Sequence, residues 1–92
     1  MISALNIIYM KIIKTNINNL LPIKINVSEK NWIKIQENLF SIGCEWNSSG
    51  KSILRSYQKN IFVNQNKHIT YNNDESYFNR IKYLEIPEYK LL

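Results

Sequence analysis

The chain has 92 residues, a formal net charge of +5 and 45% hydrophobic content with 12% aromatics. That is one domain with one modest core, too apolar for a disordered chain and too short for a large enzyme. Asn, Ile and Lys supply about two fifths of the residues, a bias shared by AT-rich codons, so neither the Asn runs nor the Lys count is by itself a functional signal.

The charge is carried by ten lysines and two arginines spread singly along the chain, with no basic block. Arg is the residue suited to bidentate phosphate and base contacts, so this balance is not that of a dedicated nucleic-acid reader. Cys44 is the single cysteine. It excludes an internal disulfide and fits a reducing cytoplasm. The opening MISALNIIYMKII is apolar, but it lacks a basic leader, and Lys11 and Lys14 interrupt it. It does not read as a signal peptide or a membrane span. Met10 offers a second natural start, which makes residues 1–9 a candidate N-terminal extension of a single domain over 1–92.

In chain order, Ile- and Tyr-rich residues 5–14 suit a strand, and TNINNLLP a connection. Ile23, Ile25 and Val27 alternate with Lys24 and Asn26, the pattern of a half-buried strand. Ser28 is placed to cap a helix, with Glu29 favourable at its N-terminus. From there Trp32, Ile35, Leu39 and Ile42 form one stripe, widened by Ile33 and Phe40, while Lys30, Lys34, Glu37 and Asn38 lie away from it. Gly43 stands where a left-handed residue would end that helix. CEW begins a strand, NSSGK is a turn, and SILRSYQ suits a further strand with Ile53, Arg55 and Tyr57 on one face. NIFVNQNKHITY is a hairpin around Gln65-Asn66-Lys67. Asp74–Arg80 is a short helix or loop, and Tyr83, Leu84 and Ile86 belong to a last strand that Pro87 stops. The order β-β-α-β-β-β-β predicts an α+β domain, one helix packed on a mostly antiparallel sheet in two layers.

Gly50-Lys51-Ser52 matches the end of a phosphate-binding loop. The context does not fit. Six residues separate Gly43 from Gly50 where four are needed, the helix precedes the loop, and Glu45 would repel a phosphate. Cys44 and His68 are the one thiol and the one imidazole; a small residue between a cap glycine and a strand is usually core, and His68 opens a hairpin strand. Four ligands with local pairs, as structural zinc requires, are missing. Asp74-Glu75 suits a helix start better than an acid–base pair, and Glu85 and Glu88 stand in the tail. The expectation is a protein without enzymatic activity, metal or cofactor. What remains is binding. Arg55, Tyr57, Lys59, Lys67 and Tyr71, with Phe62, would present aromatic and cationic groups on the sheet face and hairpin, with the helix behind them. Such a face suits a protein partner through Tyr and Arg anchors, or single-stranded RNA or DNA through stacking and charge.

Residues 28–73 also carry a pattern: a helix ending in Leu39-Phe40-x-x-Gly43-x-x-Trp46, a turn at Gly50, then a strand pair with Ile61, Val63, Ile69, Thr70 and Tyr71. In this the chain resembles small bacteriophage-encoded proteins of unknown function. The resemblance implies a phage or mobile-element context, in which small proteins inhibit bacterial defence, anti-CRISPR proteins among them. Such inhibitors occupy the nucleic-acid channel of a large effector or disturb guide-RNA loading. The expected partner is therefore a host effector protein, a CRISPR nuclease or its crRNA.

Overall fold

The computed structural model describes residues 17–92. The strand expected at 5–14 and the extension at 1–9 lie outside the described residues. Five strands, β1 (Ile23–Asn26), β2 (Glu45–Trp46), β3 (Asn60–Val63), β4 (His68–Tyr71) and β5 (Leu84–Glu85), form one sheet in the order β2-β4-β3-β1-β5. Helix α1 (Trp32–Ser41) follows a 3-10 turn at Glu29–Asn31, α2 (Glu75–Arg80) precedes β5, and a second 3-10 turn, Glu88–Leu91, ends the chain.

The fold is α+β as expected, but the sheet is mixed. β3 pairs antiparallel with both β1 and β4, whereas β1–β5 and β2–β4 are parallel. The helices explain this. Each lies between two strands and returns the chain to the end of the sheet it left, so the strands on either side of it run the same way. That holds for β1-α1-β2 and for β4-α2-β5, and it leaves β3 as the strand that opposes the other four. Hydrophobic alternation identifies strands without giving their direction.

Register places Ile23, Ile25, Ile61, Val63 and Ile69 on one face, buried against Trp32, Ile35 and Leu39 of α1. Ile17, in a helical segment at 17–20 where a connection was expected, joins this core, as do Ile86 and Leu91 of the tail. Ile33 was expected to widen the helical stripe but is exposed. At the helix end Gly43 has φ +94°, the Gly43 N–H donates to Phe40 O (3.1 Å) and the Cys44 N–H to Leu39 O (3.0 Å). This paired bonding satisfies two carbonyls that the helix would leave open. Ser28 marks the other boundary without serving as the expected side-chain cap: its hydroxyl makes no cap bond, and a 3-10 turn intervenes before Trp32. The Ser28 amide donates to Glu88 Oε2 (2.8 Å) and Asn31 Nδ2 to Glu88 Oε1 (3.3 Å), so the tail carboxylate caps this end.

The opposite face is also covered. Phe62 meets Tyr77, Phe78 and Tyr83 at ring-centroid distances of 5.2, 5.8 and 6.3 Å. Lys24, expected in solvent, is only 8% exposed. Its ammonium donates to the carbonyls of Phe78 (2.6 Å) and Ile81 (3.1 Å) and lies 4.8 Å from the Phe78 ring centroid. A cation at the carbonyl end of a helix meets the negative pole of its dipole, which makes this burial tolerable. α2 begins as the sequence suggests, with Asp74 Oδ1 accepting from the Ser76 amide at 2.9 Å.

Two expectations follow. Leu39→Ala should lose about 2–5 kcal/mol in urea unfolding, since it removes a fully buried side chain at the helix–sheet contact. Burial alone would raise the Glu88 carboxyl, but hydrogen bonds from Ser28 and Asn31 and the charge of Lys30 outweigh it and hold the group below its ordinary 4.5. The folded carboxylate thus binds its proton less readily than the unfolded one, so its stabilisation is complete above pH 4.5 and disappears as pH falls through the lower folded value. Glu88→Gln should show a smaller difference between urea midpoints at pH 7 and pH 3 than the parent protein.

Candidate functional site

The segment 52–58, expected as a strand, is irregular. The cause is a side chain. Gln36 is fully buried on α1, four residues after Trp32. Its Oε1 accepts from the Leu54 amide (2.8 Å) and from Trp46 Nε1 (3.0 Å); its Nε2 donates to Leu54 O (3.0 Å) and Trp32 O (3.3 Å). Trp32 Nε1 also donates to Leu54 O, at 2.7 Å. The carboxamide thus takes both backbone groups of Leu54, as a neighbouring strand would, and the segment is held beside the helix instead of joining the sheet.

The network fixes four aromatic rings in a row. Trp32 and Trp46 are buried with centroids 6.1 Å apart. Tyr57 packs on Trp32 at 5.9 Å and 81°, and its hydroxyl donates to Val27 O. Tyr71 packs on Trp46 at 6.3 Å and 82°. The outer rings remain 36% (Tyr57) and 51% (Tyr71) exposed. Near-perpendicular aromatic contacts are each worth about 0.5–1.5 kcal/mol beyond area burial, so both tyrosines present a rigid ring.

The five expected site residues divide. Arg55 is exposed on the same segment as Tyr57, and the tryptophan pair links Tyr57 to Tyr71. Lys59 points away from this row: its ammonium lies 3.0 Å from Glu75 Oε1 of α2. That contact and a hydrogen bond from Asn60 hold the Glu75 carboxyl below its ordinary range. Lys67 occupies the β3–β4 turn with φ 66°, over Gly43 and at the far end of β4 from Tyr71. Phe62 is buried under α2, so the sheet offers no open stacking face there. Sequence pattern placed Trp32 and Trp46 near the helix–sheet contact but gave no role to Gln36. The available signal was its position inside the 32-35-36-39 stripe, where a carboxamide demands partners.

Cys44 and His68 do not form a pair. Cys44 is buried in the core beside Trp46, while His68 stands across from Glu45 in the β2–β4 register, on the other side of the sheet from Trp46 and Ile69. Burial pushes the thiol up to about 11, against the opposing pull of Lys67 and Lys51. A thiol so protonated is a poor nucleophile. A surface depression of about 300 Å³ is lined by Pro22, Asn64, Gln65, Asn66 and Tyr83, which supply amides and a phenol but no carboxylate, imidazole or thiol. Among the described residues no three His, Cys, Asp or Glu side chains converge to hold a metal, and no helix is long and apolar enough to cross a membrane.

The chain matches no protein-family model, no curated protein and no solved structure.

Gln36→Leu should cost about 2–4 kcal/mol, because it strands the buried Trp46 indole N–H and the part-buried Leu54 amide. The near-UV circular dichroism of the tryptophans should change with it. Cys44 should resist Ellman's reagent at pH 7 in native buffer and react at once in denaturant; rapid native reaction would contradict its burial.

Proposed function

We propose that the protein is a non-enzymatic binding module, a small phage-type inhibitor that sterically blocks a host defence nuclease or its guide-RNA complex in the host cytoplasm. The observation that carries this reading is the pair of exposed tyrosines, each buttressed by a buried tryptophan and joined through the tryptophans and Gln36, with Arg55 exposed two residues before Tyr57. Rigid Tyr and Arg groups are the residues most often found to anchor interfaces, since they offer large contact area at small entropy cost. The buried, protonated Cys44, turned away from His68, supports a mechanism of occupation rather than of catalysis. A second reading, a single-stranded RNA- or DNA-binding accessory protein, is supported by exposed Arg55 on the Tyr57 segment and exposed Lys51 in the loop that precedes it.

The test is a titration of the full chain into cleavage reactions of a panel of purified RNA-guided nucleases. Complete inhibition near one molar equivalent is expected for the susceptible enzyme, unchanged in Cys44→Ser and weakened at least tenfold in a folded Arg55→Ala/Tyr71→Ala variant. Inactivation by a small fraction of an equivalent, growing with time, would instead indicate turnover and refute the steric mechanism.

A further inference from the structure

From Trp46 to Asn73 the chain runs 28 residues without a single Asp or Glu, while holding Lys51, Arg55, Lys59 and Lys67. All seven carboxylates lie outside this stretch. The same stretch supplies Tyr57 and Tyr71. Folding preserves the separation. Among the described residues, Lys59 is the cation of this stretch that an ion pair takes, turning to Glu75. Glu45 stands on the opposite side of the sheet from Trp46, and Glu37 projects about 100° around α1 from Gln36. Lys51 follows the Trp46–Gly50 bridge, and Lys67 lies over Gly43, so both stand near the C-terminal end of α1 on the Trp46 side of the row, with Lys67 at the far end of β4 from Tyr71. Arg55 and Tyr57 stand at the other end, beside Trp32.

We infer that this strip binds a single-stranded nucleic-acid segment, with Tyr57 and Tyr71 stacking on bases and Lys51, Arg55 and Lys67 meeting phosphates. The inference rests on the reading above and names the component of the guide-RNA complex that this surface touches. Two observations favour a strand over a protein surface. The exposed aliphatic side chains Leu20, Ile33, Leu84 and Leu92 all lie outside the 46–73 stretch, so the strip lacks the apolar centre of a protein interface. Its exposed remainder is serine, threonine, asparagine and glutamine, which donate to phosphate and sugar oxygens. The dimension also fits. The ten residues of α1 that run from Trp32 toward Gly43 span about 15 Å at 1.5 Å per residue, the length of about four to five stacked nucleotides. Aromatic stacking with scattered cations gives sequence-tolerant binding, so the absence of a base-reading motif is no obstacle.

The experiment measures fluorescence anisotropy of fluorescein-labelled 12-mers of uridine and of deoxythymidine with the full chain, between 50 and 300 mM salt. Binding should be sequence-tolerant, with a log–log salt slope of about −2 for three phosphate contacts. Lys51→Glu/Arg55→Glu changes exposed charges alone and should weaken binding more than tenfold. Tyr71→Ala, on a half-exposed ring, should weaken it about tenfold. Arg80→Glu/Lys82→Glu, on and just after α2, should change it little. No binding at 50 mM salt, or equal losses in the two charge-reversal variants, overturns the inference. The cleavage titration separates the two readings. Inhibition without oligonucleotide binding overturns the strand site and leaves a protein-contact inhibitor. Oligonucleotide binding through these residues without inhibition of any nuclease keeps the strand site and overturns the inhibitor reading.

Discussion

One carboxamide organises the surface of this protein. Gln36 is buried on a helix, and its Oε1 accepts from the Trp46 indole and the Leu54 amide, which would otherwise lack a partner. A buried hydrogen bond contributes about 1 kcal/mol net, but losing one partner of a buried pair costs more than the bond is worth. Such a network therefore specifies position more strongly than it adds stability. Here it specifies where residues 52–58 run, which way the Trp46 indole points, and how Tyr57 meets Trp32.

The opposite face uses a different solution to the same problem. Lys24 lies on a strand whose other side is core, and α2 covers it. Its charge faces the carbonyl end of that helix, where backbone dipoles stand in for a carboxylate. The tail closes the arrangement: β5 pairs with β1, Ile86 and Leu91 enter the core, and Glu88 caps the approach to α1. A small domain with one modest core gains from fixing its chain end in this way, because each ordered residue must offset its own conformational entropy.

The two helices set both topology and exposure. As crossovers they align four strands against β3; as covers they shield both sheet faces. An open sheet for binding is thereby lost, and exposed aromatic surface survives along the edge where the 47–59 loop meets β2 and β4. The binding residues expected on a sheet face are accordingly split. Arg55, Tyr57 and Tyr71 stay along the aromatic row, Lys59 goes to α2, and Lys67 sits at the hairpin turn. Sequence spacing cannot separate these cases, since an ion pair with Glu75 joins residues 16 positions apart.

By itself the sequence determined the α+β class, the helix with its Gly43 end, the 60–71 hairpin, the Asp74 helix start and the core positions of Trp32, Ile35, Leu39 and Ile69. These follow from local chemistry: side-chain period, capping residues and turn formers act within a few positions. The tertiary structure alone decided strand direction, the burial of Lys24 and Phe62, and the fate of 52–58. Each of those depends on a partner far along the chain. β-prone residues 52–58 do not form a strand because a glutamine 18 positions before Leu54 takes its backbone hydrogen bonds first.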